Sequence, residues 1–175
     1  MNVSWMVNRL ERFPPTLASL FLGCSQEDAR WRPSEGDWSV LEIVCHLVDE
    51  DLDDFGTRLR LLLEAPGSDW PKVDPVAVAA SRGYRNRDLE EVLREFAAVR
   101  HGKLEWLRTM VGADFMRKPT RSGLRHPSHG AMRAGDLLAS WCAHDALHLR
   151  QIAKRLYQLT DRRADPFEVG YAGPW

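Results

Sequence analysis

Apolar residues recur at spacings of three and four positions along four long stretches of the chain, as in helices that bury one face. The clearest stretch begins at Ser39 and ends near Glu64. Ser39 and Glu42 match the S-x-x-E pattern of a capping box at its start. Ala65-Pro66-Gly67 stops the helix. Its apolar positions are Leu41, Val44, Val48, Leu52, Phe55, Leu59 and Leu62.

The other three stretches run from about Val3 to Leu22, from Arg87 to Val111 and from Ala131 to Gln158. Pro14 and Pro15 are expected to kink or split the first of them. No stretch alternates between apolar and polar residues with the period of a strand. The pattern therefore predicts an all-α protein, a four-helix bundle formed by residues 1–175 as a single domain.

Two long connections and a tail lack helical periodicity. Residues 66–86 contain three prolines, and residues 113–130 are rich in Arg, Pro, Ser and His, so both are predicted to be loops. The tail from Asp161 to Trp175 is expected to be non-helical. Its aromatic residues, Phe167, Tyr171 and Trp175, are expected to lie against the body of the protein.

Composition and charge narrow the function classes. The 24 Lys and Arg residues balance 25 Asp and Glu residues, a net charge of −1, so nucleic acid is not an expected partner. No run of about 18 apolar residues is present, so no membrane span is expected. No basic stretch leads into an apolar block at the N-terminus, and a cytoplasmic location is the expectation.

Cys24, Cys45 and Cys142 form no CxxC pair and are expected to be reduced, mostly buried thiols.

Three histidines are candidate metal ligands. His144 and His148 are four residues apart, which places their imidazoles on one helix face with Cβ atoms about 6 Å apart. Both share that face with the apolar Trp141, so the pair is expected to point inward. His46, on the second helix, lies on a mostly polar face that could line a cleft. Two histidines from one helix and one from another would leave a coordination position open for water or substrate.

Spacing alone leaves two interpretations of these histidines open. An HxxxH pair is common without a metal, and a single histidine such as His46 is often satisfied by one or two hydrogen bonds. Two inward imidazoles, however, must both find polar partners. The residues are therefore compatible either with a metal site or with a bundle whose histidines are structural.

Two carboxylates are candidates for the surroundings of such a site. Glu50, one turn after His46, could be a fourth ligand, or it could belong to a solvated helix face. Asp145 follows His144 and could orient a ligand imidazole on a neighbouring helix, as outer carboxylates do. A surface or inter-helix salt bridge explains Asp145 equally well. Catalytic residues beyond the metal ligands are not identified.

Two motifs resemble the DinB/YfiT superfamily: Trp38-Ser39-x-x-Glu42-Ile43-x-x-His46-Leu47, and downstream Trp141-x-x-His144-Asp145-x-x-His148-Leu149-x-Gln151-Ile152. The resemblance extends over most of the chain, including the helix order and loop sizes. It implies a four-helix bundle with a long crossover and a three-histidine site at His46, His144 and His148. The implied ion is divalent, zinc or nickel first, with iron or manganese also compatible. It also implies a homodimer.

Proteins of this kind include thiol transferases that use bacillithiol and a mycothiol-dependent isomerase. The resemblance therefore implies a metal-dependent enzyme acting on a small molecule. Thiol-dependent S-transfer, with a low-molecular-weight thiol, is expected ahead of hydrolysis. A bound divalent ion can stabilise a thiolate or lower the pKa of water. The alternative is a non-catalytic metal-binding or stress-response protein of the same fold.

The second connection carries further polar candidates. Its basic residues could bind carboxylates of a peptide-like thiol, or could simply form a solvated loop. His126 and His129 could reach the site, or could be exposed loop residues. The basic residues in question are Arg117, Lys118, Arg121 and Arg125.

Overall fold

A computed structural model describes residues 2–70, 74–110, 112–117 and 132–175, and within these ranges the chain is helical without strands. The α-helices are α1 Val3–Leu20, α2 Gln26–Arg30, α3 Val40–Asp49, α4 Phe55–Glu64, α5 Pro75–Ser81, α6 Leu89–Thr109 and α7 Ala134–Ala164. A π-helical segment, Glu50–Asp54, joins α3 to α4, and 3-10 turns lie at Tyr84–Asn86 and Gly170–Ala172.

Four long helical units pack side by side as a bundle. Helix α1 contacts α6 and α7, α3 contacts the same two helices, and α4 contacts α7. The continuous unit α3–π–α4 therefore lies opposite α1, and the predicted four-helix bundle is confirmed. Within the described residues, no helix combines the length and hydrophobicity needed to cross a lipid bilayer.

The predicted break in the first helix is absent. Helix α1 is helical from Val3 to Leu20 with Pro14 and Pro15 inside it. Because Pro14 has no N–H, the carbonyl of Leu10 loses its usual donor four residues on. The Arg100 guanidinium supplies a replacement, donating from Nη1 to Leu10 O at 3.0 Å. A side chain from α6 thus satisfies the acceptor that the proline leaves free.

The second helical unit begins and ends as predicted, but its middle differs. Ser39 Oγ accepts from the Glu42 N–H at 3.3 Å, and Glu42 Oε2 accepts from the Ser39 N–H at 2.9 Å, which completes the capping box. The π segment was not predicted. It brings Asp51 O so close to Gly56 that a Cβ atom there would lie 2.4 Å from it. Glycine is therefore required at position 56.

Helix α7 is longer than the pattern predicted. It begins at Ala134 and continues to Ala164, six residues beyond Gln158, so the non-helical tail is correspondingly shorter. Ion pairs from Arg163 to Asp28 support this last part of the helix.

The aromatic residues of the tail behave differently from one another. The expectation that all three lie against the body is wrong for Phe167, which is 78% exposed, and for Tyr171, which is fully exposed. Trp175 does contact the body, because its ring centroid is 5.8 Å from that of Tyr157 on α7.

The first connection also contains structure that the pattern missed. Asp74 caps α5 by accepting from the N–H groups of Val76 and Ala77. In the second connection, Arg117 donates to Leu63 O at 3.1 Å. The remaining candidates there lie outside the described residues: Lys118, Arg121, Arg125, His126 and His129.

Candidate metal centre

His46 on α3 faces His144 and His148 on α7, so two helices adjacent in the bundle bring the three imidazoles together. His46 is buried and the other two are half-buried. The ring centroid of His46 lies 5.5 Å from that of His144 and 4.8 Å from that of His148. The Nε2 atoms of His144 and His148 are 3.0 Å apart. In the described part of the chain, these histidines form the only group of three or more His, Cys, Asp or Glu side chains that could hold a metal ion.

The geometry of the three nitrogens fits a divalent ion. All three lie within 4.8 Å of one another. In a tetrahedral site, nitrogens about 2.0–2.1 Å from the ion lie about 3.4 Å from one another, so a pair at 4.8 Å must close by about 1.4 Å on binding. Rotation of the imidazole rings can bring the nitrogens together. Three imidazoles suit zinc, nickel, iron or copper better than calcium or magnesium.

Gln151 sets the tautomer of His148. Its amide oxygen Oε1 lies 2.9 Å from His148 Nδ1, so that nitrogen carries the proton and donates it. The neutral ring therefore presents an unprotonated Nε2 towards His144. Gln151 is one turn after His148 on α7, and it was not among the predicted site residues.

All three imidazoles are held in the neutral form. Burial, with a smaller effect from the neighbouring His148, lowers the pKa of His46 to about 3. Burial and the neighbouring His148, with smaller effects from His46 and Arg100, lower the pKa of His144 to about 3. Burial also lowers the pKa of His148, although the hydrogen bond with Gln151 opposes it. Neutral imidazole is the form that binds metal ions.

Aromatic rings wall the histidines on two sides. The Trp38 ring centroid is 5.0 Å from that of His46, and the Phe55 centroid is 5.0 Å from that of His144. Phe55 in turn stacks on Trp141 at 6.4 Å. These rings exclude water from the α3 side, which explains the desolvation of His46 and His144.

Glu50 lies beside His46, as its position one turn later requires. Its Oε1 is 3.6 Å from His46 Nδ1, slightly beyond hydrogen-bond distance. Burial, with a smaller effect from Asp54, raises the pKa of Glu50 to about 7. The carboxylate approaches the imidazole, and the cluster of three ligand atoms does not include it.

Asp145 belongs to a buried ion cluster on the other side of α7. Two of its oxygens accept from Arg100, at 2.8 and 2.9 Å. Asp51, in the π segment, accepts from the same guanidinium at 2.6 and 3.0 Å, and from Trp141 Nε1 at 2.8 Å. The structure thus places Asp145 in an inter-helix salt bridge, one of the two roles that its sequence position allowed.

The apolar pattern of α6 by itself indicates that Arg100 is buried. Arg100 occupies the same face of α6 as Phe96 and Leu104, each four residues away, so a helical pattern alone buries it. A charged residue inside an apolar stripe needs a buried partner, and Asp51 and Asp145 provide it. No pattern in the sequence predicted the π segment that turns Asp51 inward.

The three cysteines do not contribute ligands to the cluster. Burial raises the pKa of the Cys45 thiol to about 12 and that of Cys142 to about 11, so both remain protonated near neutral pH. Cys24 is half-buried, and burial raises its pKa as well. The expectation of free thiols holds in the structure, and none of these groups is an activated nucleophile.

The family follows from the whole chain. The sequence model of the DinB superfamily matches residues 9–152, which include all three histidines. The chain belongs to the DinB superfamily. The resemblance inferred from the two motifs is therefore confirmed.

This DinB-superfamily protein also resembles a solved structure, that of YfiT from Bacillus subtilis. The two agree with a TM-score of 0.73 over 91% of this chain and 86% of that chain, at 20% sequence identity. YfiT is described as a probable metal-dependent hydrolase with an unusual four-helix bundle topology. At this identity the likeness establishes the fold. No curated protein sequence matches the chain.

Proposed function

We propose that this DinB-superfamily protein binds a divalent metal ion through His46, His144 and His148 and acts on a small molecule at that ion. The observation that carries the proposal is the convergence of three neutral imidazoles, from two helices, within 4.8 Å. The YfiT description as a probable metal-dependent hydrolase supports it. Zinc and nickel are the first candidates, and iron and manganese are also compatible with the site.

When bound, the ion would supply a Lewis-acid centre that lowers the pKa of a coordinated thiol or water. The chain's own residues prepare that chemistry. Gln151 holds the proton of His148 on Nδ1 and so frees Nε2 as a ligand. Glu50 faces Nδ1 of His46 and, with a small turn of the ring, can accept a hydrogen bond from its N–H, which leaves Nε2 of that ring as the ligand for the ion. Trp38 and Phe55 exclude water on one side.

Thiol-dependent transfer is the reaction we propose first. Three neutral ligands leave the full positive charge on the ion, which favours an anionic fourth ligand such as a thiolate. The chain's own thiols remain protonated and lie outside the cluster, so the thiol would come from a low-molecular-weight compound. Hydrolysis is the second candidate, and the description of YfiT as a probable hydrolase favours it.

Metal content tests the proposal directly. We expect close to one ion per chain in untagged, chelator-free protein, and a loss of that ion in His148→Ala. His101→Ala is the matched control, because His101 is an exposed histidine on α6. Absence of metal from the wild-type protein, even after reconstitution, would refute the metal site and with it the proposed enzyme.

Cobalt substitution separates the candidate reactions. A thiol that reaches the ion changes the visible spectrum of the cobalt-loaded protein. We expect such a change with simple thiols. A cobalt site that ignores thiols but turns over ester or amide substrates would favour hydrolysis. A site that does neither would favour the non-catalytic alternative.

We also propose that the protein is a homodimer. Exposed apolar side chains support this: Leu22 is 90% exposed, and it borders a surface groove with Leu20, Leu156 and Leu159. Light scattering at working concentration tests it, and a monomer mass would contradict it.

A further inference from the structure

A groove of about 650 Å³ runs along α7 from the candidate metal ligands. His144 and His148 lie at one end of it, and Arg150, Lys154 and Trp175 line the rest. Arg150 and Lys154 are exposed. Because they are four residues apart, both project from one face of the helix.

The charges of Arg150 and Lys154 are only partly compensated, because Asp37 interacts electrostatically with Lys154. No Asp or Glu side chain in the described ranges lines it, and within the same ranges Arg150 and Lys154 form no ion pair. Arg155, which also borders the groove, differs in this respect. It is buried, pairs with Asp37 and donates from Nε to Trp38 O at 2.8 Å. Two exposed cations thus line the same groove as a site that would itself carry positive charge.

An aromatic side chain borders the groove beside these cations. Trp175 is held against α7 by its contact with Tyr157, and the Tyr157 hydroxyl donates to Gly173 O at 3.1 Å. The indole is half exposed and borders the groove. The groove therefore offers an apolar surface next to two cations.

We infer that the groove binds small molecules that carry an oxyanion group, a carboxylate or a phosphate, with Arg150 and Lys154 as the residues that select for it. The inference rests on the proposed function for one end of the groove, where the ligand's donor atom would meet the ion. Arginine binds such groups through paired hydrogen bonds, and lysine adds a mobile charge. The α-carbons of Arg150 and Lys154 lie about 3 and 9 Å further along the helix axis than that of His148. A ligand fits this spacing when several bonds separate its oxyanion group from the atom that binds the ion.

The basic residues expected to recognise carboxylates were those of the second connection. The groove adds two residues of α7 as candidates for the same role. They are two and six residues after His148, so they project from a different side of α7 than the ligand imidazoles, although all four residues border the groove. The selectivity residues and two of the ligands therefore share one rigid element.

Two thiols of equal length test the inference. The probes are 6-mercaptohexanoate and 6-mercaptohexanol, titrated into cobalt-loaded protein and followed by the visible spectrum. We expect the carboxylate to bind about tenfold more tightly than the alcohol. The preference should fall to about one in Arg150→Gln/Lys154→Gln. It should persist in Arg12→Gln/Arg94→Gln, which removes the same charge from exposed positions outside the groove.

The outcomes separate this inference from the metal proposal. If cobalt binds and the two thiols bind equally, or if the preference survives in Arg150→Gln/Lys154→Gln, the inference is wrong and the metal site stands. If cobalt does not bind, the metal proposal is wrong. The binding of hexanoate and hexanol to the metal-free protein is then compared by NMR of the indole N–H groups. Selective binding of hexanoate that depends on Arg150 and Lys154 would support the inference, and its absence would overturn it. Competition with hexyl phosphate shows which oxyanion the groove prefers.

Discussion

Asp145, the residue that follows the candidate ligand His144, accepts two hydrogen bonds from the guanidinium of Arg100. The same guanidinium binds Asp51, in the π segment that follows the helix of His46. Helix α6 contributes no candidate ligand, yet through Arg100 it connects α7 with the helical unit that begins with α3, and these two carry the ligands. With Leu10 O as a further acceptor, Arg100 on α6 contacts each of the three other units of the bundle.

Loss of Arg100 should therefore destabilise the protein severely. Arg100→Met leaves two buried carboxylates without their cation, and we expect a loss of about 3–5 kcal/mol in the free energy of unfolding. Urea denaturation of the metal-free protein measures it. Arg94→Met is the control, since Arg94 is exposed on the same helix, and its effect should stay within about 0.5 kcal/mol. Similar losses in the two variants would contradict the central role of the cluster.

Gln151 should matter for metal affinity more than for folding. Gln151→Leu removes the acceptor for His148 Nδ1–H, so the ring loses its preferred tautomer and orientation. We expect a drop of about 10–100-fold in metal affinity, measured by competition with a chelator. Gln151→Glu keeps an acceptor at the same place and should retain the affinity of the wild-type protein. Equal affinity in Gln151→Leu would show that the hydrogen bond does not orient the ligand.

The metal-free protein should lose stability as the pH falls below about 6.5, the ordinary pKa of histidine. Burial lowers the pKa of His46 and His144 to about 3, so the unfolded chain binds more protons than the folded protein between these values. Each of these histidines then makes the free energy of unfolding fall by up to about 1.4 kcal/mol per pH unit.

His46→Gln provides the comparison for this pH dependence. Denaturation of metal-free protein at several pH values between 7.5 and 5 should show a shallower fall in the variant, by up to about 1.4 kcal/mol per pH unit. Parallel curves for variant and wild type would mean that His46 is not held neutral by the fold.

Gly56 and Gly102 should respond in opposite ways to alanine. A Cβ atom at position 56 would lie 2.4 Å from Asp51 O, whereas one at position 102 meets nothing within 4 Å. We expect Gly56→Ala to destabilise the protein by about 1–3 kcal/mol, because the π segment must shift. Gly102→Ala, inside the exposed face of α6, should stabilise it by about 0.5–1 kcal/mol. Thermal or urea unfolding of both variants measures the contrast, and a neutral Gly56→Ala would show that the π segment adapts freely.

Local interactions explain the parts of the fold that the sequence predicted correctly. The capping box of Ser39 and Glu42, the end of α4 at Glu64 and the shared face of His144 and His148 all depend on residues within one or two helical turns. The extent of α7 was predicted less well. Its last turns are supported by Arg163 reaching Asp28, which is 135 residues away in the chain.

The remaining features depend on contacts between distant segments, which no local pattern records. Helical spacing places His46 on a polar face of its own helix, and only the packing of α3 against α7 brings it to His148. Likewise Pro14 breaks no helix because Arg100, 86 residues later, replaces the missing donor. Local spacing orients a side chain about its own helix axis, whereas the burial, partners and charge state of that side chain depend on the helices packed against it.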